Sequence, residues 1–149
     1  MREPWLSVLV VGLHLGSAAG QDGGAKKEQE RFQGTWRLVK FDLAEGRSLP
    51  EEVLAKSRFT FQGDRLTVTE DGKVVDEATI KLDPTRTPKA IDVTAGRGPN
   101  KGKVSPGIYA FEGDSLKICS AAPGQKRPTE FKTDRASRTA LLVLRRAKS

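Results

Sequence analysis

A short pattern that occurs twice decides the fold. Phe61–Val68 reads FQGDRLTV, and Phe111–Ile118 reads FEGDSLKI fifty residues later, so both follow Phe-x-Gly-Asp-x-Leu-x-aliphatic. Gly-Asp supplies the positive φ that a two-residue hairpin turn requires, and the flanking residues alternate between apolar and polar as strand residues do. Asp71 and Gly72 form a third turn signal, so Arg58–Leu82 is predicted to be a three-stranded meander.

Similar short alternating runs, separated by glycine turns, continue on both sides of these hairpins. They predict a mainly β protein, an antiparallel up-and-down barrel of about 8–9 strands. One short helix is predicted after the first strand, over Ser48–Lys56, where Ser48 and Glu51 have the capping-box spacing and Pro50 lies in the first turn. It would serve as a plug over the core or as a lid over a cavity. The predicted strands are Thr35–Phe41, Arg58–Gln62, Arg65–Glu70, Lys73–Leu82, Ala90–Thr94, Gly107–Glu112, Ser115–Ser120, Thr129–Thr133 and Ala140–Arg145.

The chain is predicted to carry one domain behind an export signal. Residues 1–20 contain Arg2, an apolar stretch from Leu6 to Leu15 and small residues at the end, the pattern of a signal peptide. That stretch is shorter than the ~20 residues that span a membrane, so no transmembrane segment is expected. Residues 21–30 are interpreted as a polar linker and residues 31–147 as the β-barrel domain. The predicted location is periplasmic or extracellular.

Residues for catalysis and metal binding are scarce. The only histidine, His14, lies in the predicted signal peptide, so the mature chain lacks the usual general base and the commonest metal ligand. Cys119 has no disulfide partner and is interpreted as a buried small hydrophobe or as a free thiol. Asp76 and Glu77 are strand neighbours that point to opposite faces. We therefore expect no enzyme, no catalytic residue, no metal and no cofactor; the alternative is a carboxylate-based hydrolase or isomerase.

The net charge of +7 comes from the C-terminal third of the chain. Lys117–Ser149 contains nine Lys or Arg and two Asp or Glu, whereas Gln21–Leu116 contains sixteen of each. The excess predicts an anion-binding surface or a solvated basic face. Nucleic acid is not expected as a partner, because the aromatic residues lie in strand patterns away from the basic segment. The candidate anion-binding residues are Lys126, Arg127, Lys132, Arg135 and Arg138.

Three stretches resemble the planctomycete uncharacterised domain family. They are Phe32–Trp36, Ile80–Asp92 and Pro106–Phe131, and the resemblance that they carry extends over almost all of Arg31–Arg145. That family has no assigned activity. The resemblance therefore implies a small secreted module and adds no catalytic residue.

A second resemblance is to lipocalins, whose first strand opens with Gly-x-Trp, here Gly34 to Trp36, and whose last strand ends near an arginine, here Arg145 or Arg146. It implies a lipocalin-like (calycin-like) barrel whose floor is closed by Trp36, with the arginine packed over the ring by a cation-π contact. The implied role of these residues is structural. The chain departs from lipocalins because it lacks a long helix after the barrel.

Two functions remain open at this point. The first is an exported, non-catalytic binding or interaction module that holds a small apolar molecule in the barrel or presents one face to an envelope component. The alternative is an envelope-associated protein that docks on anionic polymer or a membrane surface through its basic C-terminal third. Ionic strength distinguishes the two, because salt screens contacts between exposed charges and leaves apolar burial intact.

Overall fold

The computed structural model describes residues 24–147, which form a closed eight-stranded antiparallel barrel and two short helices. Each strand pairs with the next one along the chain, and β8 pairs back with β1. This confirms a mainly β, up-and-down barrel; the predicted signal peptide lies outside the described residues. The elements are α1 (residues 24–32), β1 (Gly34–Asp42), α2 (Glu51–Lys56), β2 (Ser57–Gln62), β3 (Arg65–Glu70), β4 (Lys73–Asp83), β5 (Ala90–Ala95), β6 (Val104–Glu112), β7 (Ser115–Ser120) and β8 (Ala140–Arg146).

The hairpin turns have the predicted chemistry. Gly63 and Gly113 begin two-residue loops with φ of 63° and 61°, which fits a type II′ turn. In the turn between β3 and β4 both Asp71 (φ 53°) and Gly72 (φ 78°) are left-handed, as a type I′ turn requires. These three turns fix the register of the strands beside them.

The two ends of the barrel are packed differently. The end where α1 and the β2–β3, β4–β5 and β6–β7 connections lie is called the α1 end, and the opposite one the α2 end. Inward-facing side chains near the α1 end are large and buried; they include Trp36, Phe61, Ile91, Tyr109, Leu116 and Leu144. Nearer the α2 end Phe59 is also buried, but other inward-facing side chains there are smaller and half-buried: Val68, Ala78, Val93, Ser105, Ser120 and Ala140. The interior is therefore packed more completely at the α1 end than at the other.

The strand predicted over Thr129–Thr133 is wrong. These residues belong to the connection 121–139, which joins β7 to β8 along the chain and packs on the outside of the barrel against β5, β6 and β7. Because β7 pairs directly with β8, the closed sheet has no free edge with which this stretch could form a ladder. Its backbone turns instead, and the amide of Lys132 donates to the carbonyl of Glu130 at 3.0 Å.

Both helices differ from the sequence expectation. Residues 24–32 form α1, whereas the sequence predicts a polar linker over residues 21–30. The helix is anchored by two buried residues, the apolar Phe32 and the carboxylate Glu28. With only one buried apolar side chain, it lacks the apolar stripe that reveals a helix in a sequence. The second helix begins at Glu51 after Pro50, without a side-chain cap, because Ser48 donates to Asp42 instead at 2.7 Å. The predicted capping box is therefore wrong.

Candidate functional site

The floor of the barrel is an aromatic cluster centred on Phe32. Its ring lies 5.2 Å from Phe61, 5.1 Å from Tyr109 and 5.2 Å from Phe111, each in an edge-to-face arrangement. Phe32 is the last residue of α1 and is fully buried. Edge-to-face aromatic pairs are favourable beyond their buried area, so the α1 end is closed by a well-packed plug.

Trp36 lies beside this plug and is held by two polar contacts. Its Nε1 donates to the carbonyl of Phe32 at 2.7 Å, and the guanidinium of Arg146 lies 4.2 Å from the ring centroid. Arg146 also donates to the carbonyls of Gln33 and Arg31, which ties β8 to the end of α1. Both arginines are exposed, but of the two only Arg146 has its guanidinium over the tryptophan ring.

Gly34 has a conformational reason to be glycine. Its φ is 109°, and a Cβ built on it would lie 3.1 Å from an Nη atom of Arg146. A side chain would therefore be strained and would press on the arginine that covers Trp36.

A buried carboxylate that sequence reasoning missed organises the same end. Glu28 accepts hydrogen bonds from Tyr109 Oη at 2.8 Å, from Lys89 Nζ at 2.9 Å and from Arg31 Nη1 at 3.1 Å. Burial disfavours the charged carboxylate, but these three donors outweigh it and lower the pKa of Glu28. Burial and the neighbouring carboxylate raise the pKa of Tyr109. Glu28 thus fixes the positions of Lys89 and Arg31, which lie far apart in sequence.

The structure does not assemble the predicted basic residues into one surface. The guanidinium of Arg127 makes its hydrogen bonds within the protein. It donates to the carbonyls of Ile91 at 3.2 Å and Gly107 at 2.9 Å, and to Asp92 Oδ1 at 2.7 Å. Lys132 pairs with Glu130 at 3.1 Å. Within residues 24–147, Lys126, Arg135 and Arg138 are exposed and make no ion pair. A cleft of about 280 Å³ beside this segment is lined by Glu130 and Asp134 as well as by basic residues.

Cys119 lies between the barrel wall and the connection 121–139. It is fully buried, and its Sγ lies 3.4 Å from the carbonyl oxygen of Lys132. Burial raises the pKa of the thiol above its ordinary value. The side chain therefore acts as a small hydrophobe in the packing of this connection.

Two adjoining clefts form a groove near the α1 end, and this groove was not foreseen from the sequence. The first cleft, about 380 Å³, lies between the β4–β5 connection, Arg31, β6 and Phe131; the second, about 330 Å³, continues over Ile108 towards Arg127. Both share the segment 86–88. Four basic side chains line the groove, and within residues 24–147 no Asp or Glu does. They are Arg31, Arg86, Lys89 and Arg127.

Carboxylates that do not line the groove pair with its cations. Glu28 pairs with Arg31 and Lys89, Asp83 lies 3.5 Å from Arg86, and Asp92 lies 2.7 Å from Arg127. Glu28 is largely buried, whereas Asp83 and Asp92 line a neighbouring cleft of about 160 Å³. The side chains of Arg31, Lys89 and Arg86 stay 50 %, 41 % and 60 % exposed, so they keep unused N–H donors for a ligand.

Other features of the described residues offer less to a ligand. A cleft of about 570 Å³ between α1 and β4 is open to solvent and has Lys26, Lys81 and Asp83 in its lining. Residues 24–147 contain no group of three or more Cys, Asp or Glu placed to hold a metal ion. In the same range, neither helix has the length and apolar character needed to span a membrane.

Comparison of the chain with protein-family models, with curated proteins and with solved structures gave no match.

Proposed function

We propose that this chain is an exported, non-catalytic binding module that recognises an anionic polymer through the groove formed by Arg31, Arg86, Lys89 and Arg127. The observation that carries the proposal is the lining of the groove, which contains four cations and, within residues 24–147, no Asp or Glu. An anion in the groove meets the positive side chains first. Such an arrangement attracts polyanions and orients them.

The interior of the barrel supports surface recognition over a ligand that fills the barrel. An eight-stranded barrel has room for side chains or for one small ligand. In this chain Phe32, Phe61 and Tyr109 occupy the α1 end with exposed fractions of 2 % or less. The part of the interior that a ligand could use is thereby reduced.

The proposal places the recognition surface differently from the basic segment of the sequence. Only Arg127 belongs both to the groove and to the candidate anion-binding residues predicted from the sequence. The cleft beside the basic segment contains Glu130 and Asp134, which repel an anion, whereas the groove is lined by cations alone among the charged residues described.

The lipocalin-like interpretation and the family assignment are part of the same proposal. The cation-π contact between Arg146 and Trp36, and the plug formed by α1, support a lipocalin-like floor. The motifs within Phe32–Trp36, Ile80–Asp92 and Pro106–Phe131 support membership of the planctomycete uncharacterised domain family, and the signal-like residues 1–20 support export.

The test compares two matched double variants on immobilised heparin. Arg31→Gln with Arg86→Gln removes two exposed cations from the groove, and Arg135→Gln with Arg138→Gln removes two exposed cations from the basic segment. Both change the net charge equally. We expect the groove variant to bind about tenfold more weakly at low salt, a loss of about 1.4 kcal/mol, and the control to bind nearly as the parent does.

Three outcomes contradict the proposal. Equal weakening of both double variants would show that only the net charge matters, and a larger effect of the control would return recognition to the basic segment. Stronger binding to anionic phospholipid vesicles than to heparin, with the same residue dependence, would identify a membrane surface instead. Circular dichroism of each variant establishes that the barrel is intact.

A small apolar ligand at the α2 end is the second candidate function. It is favoured by the inward-facing side chains of Val68, Ala78 and Val93, which are small and only half-buried, as the lining of a ligand space at this end would be. Ala78→Phe would fill this space, whereas Thr79→Phe places the same ring on the outer face of β4. We expect Ala78→Phe alone to abolish binding of the neutral dye N-phenyl-1-naphthylamine. Equal dye binding by both variants would rule this ligand site out.

A further inference from the structure

We infer that the ligand of the groove is a polysaccharide in which charged and uncharged sugars alternate, an inference that rests on the proposed anion-binding function. It comes from the different chemistry of the two clefts that make up the groove. Their shared segment, 86–88, places two subsites side by side, so a chain can occupy both at once.

The first subsite is built for an anionic group. Arg31, Arg86 and Lys89 all line it, and each keeps at least 41 % of its side chain exposed. Three aromatic residues line this cleft, and Tyr109 among them is only 1 % exposed. One face of each of the other two rings is covered by a cation: Arg31 lies 4.0 Å from the centroid of Phe111, and Lys117 lies 5.5 Å from that of Phe131. Stacking of a nucleobase or another flat ring on them is thereby disfavoured, and charge dominates recognition.

The second subsite has less free charge than the first, with which it shares Arg86. Its one additional cation, Arg127, already donates to two carbonyl oxygens and to Asp92, and only 24 % of its side chain is exposed. The remaining lining combines apolar surface with hydroxyl groups, supplied by Pro88, Ile108, Pro128, Thr87 and Thr129. A neutral pyranose, with C–H faces and hydroxyl groups, matches this surface. The one exposed cation within reach of a carboxylate there is Arg86, which the anionic group in the first subsite also contacts.

The shape of the groove argues for a chain over a membrane surface. The groove lies between the β4–β5 connection and the connection 121–139, whereas a planar array of lipid headgroups is reached best from a flat or projecting surface. A flexible chain can enter a recess of this kind and contact both subsites. Binding orders such a chain and costs conformational entropy. Contacts at two subsites offset this cost better than contacts at one.

The experiment compares hyaluronate tetrasaccharide, which has one carboxylate for every two sugars, with galacturonate tetrasaccharide, which has one on every sugar. Affinity is measured by isothermal titration calorimetry with the full chain at low salt. We expect the hyaluronate fragment to bind at least as tightly although it carries half the charge. Thr129→Glu introduces a carboxylate in the second subsite and should weaken the hyaluronate complex about tenfold, while Thr133→Glu outside both clefts serves as its charge-matched control.

The outcomes separate this inference from the proposed function. Tighter binding of galacturonate, with loss in the Arg31→Gln, Arg86→Gln variant, would overturn the alternation and leave the anion-binding groove in place. Equal weakening by Thr129→Glu and Thr133→Glu would also overturn it. If neither tetrasaccharide nor heparin responds to the Arg31→Gln, Arg86→Gln variant, the proposed function itself fails.

Discussion

Replacement of Trp36 by Ala should remove a large part of the stability of this domain. The side chain is 1 % exposed, lies against Phe111 and Arg146, and donates to the carbonyl of Phe32. Truncation of a large buried aromatic costs about 3–5 kcal/mol, because transfer energy is lost and a cavity remains. Trp36→Phe keeps a ring in the core but leaves the Phe32 carbonyl unpaired, which costs about 1–3 kcal/mol.

The measurement is urea unfolding followed by far-ultraviolet circular dichroism, since the substitution removes the fluorophore itself. Thr35→Ala is the matched control: it is the preceding residue, it points outward, and it loses only an exposed hydrogen bond to Thr60. From the most to the least stable variant, the expected order is Thr35→Ala, then Trp36→Phe, then Trp36→Ala. A loss below 1 kcal/mol in Trp36→Ala, at an unchanged dependence on urea, would refute a structural role for this floor.

Two further predictions concern groups that the fold has enclosed. Tyr109 is the only tyrosine, and its pKa is raised above the ordinary 10.0, so its stabilising effect is full below pH 10 and is lost as the pH rises further. Ultraviolet difference spectra should therefore show tyrosinate only as the barrel unfolds; tyrosinate at about pH 10 with native circular dichroism would contradict this. Arg127→Gln should cost about 2 kcal/mol in urea unfolding because Asp92 and two carbonyls lose their donor, whereas Lys126→Gln, in the exposed neighbour, should cost less than about 0.5 kcal/mol. Equal effects of the two substitutions would show that Arg127 does not fasten the connection 121–139.

The hairpins were predictable because their causes are local. A Gly-Asp turn and the alternation beside it lie within eight residues, so Phe61–Val68 and Phe111–Ile118 contain all the information that sets their conformation. The helix α1 was not predictable in this way. Its contacts come from Tyr109 and Lys89, more than sixty residues away in sequence, and its own residues show only one buried apolar side chain.

The strand predicted over Thr129–Thr133 shows a second limit of local patterns. Alternation indicates that a stretch can form a strand, but a strand exists only where a neighbour offers free backbone groups. Closure of the barrel between β7 and β8 uses those groups up. Whether a ninth strand forms is thus decided by the closure of the whole sheet. The sequence of a single stretch does not show that closure.

The location of the charged surface also depends on which residues the fold brings together, and the sequence of a single segment does not show this. The basic excess of the C-terminal third is a sum along the chain. It includes Arg127, which forms an ion pair with Asp92 and donates to the carbonyl of Ile91 in β5. The groove instead collects Arg31 from α1 and two cations, Arg86 and Lys89, from a region whose charge is balanced along the sequence. Its lining is positive because the carboxylates that pair with these cations, Glu28 and Asp83, are not part of it. The balance of charge along a segment therefore does not decide the potential of a surface; the location of each carboxylate relative to that surface does.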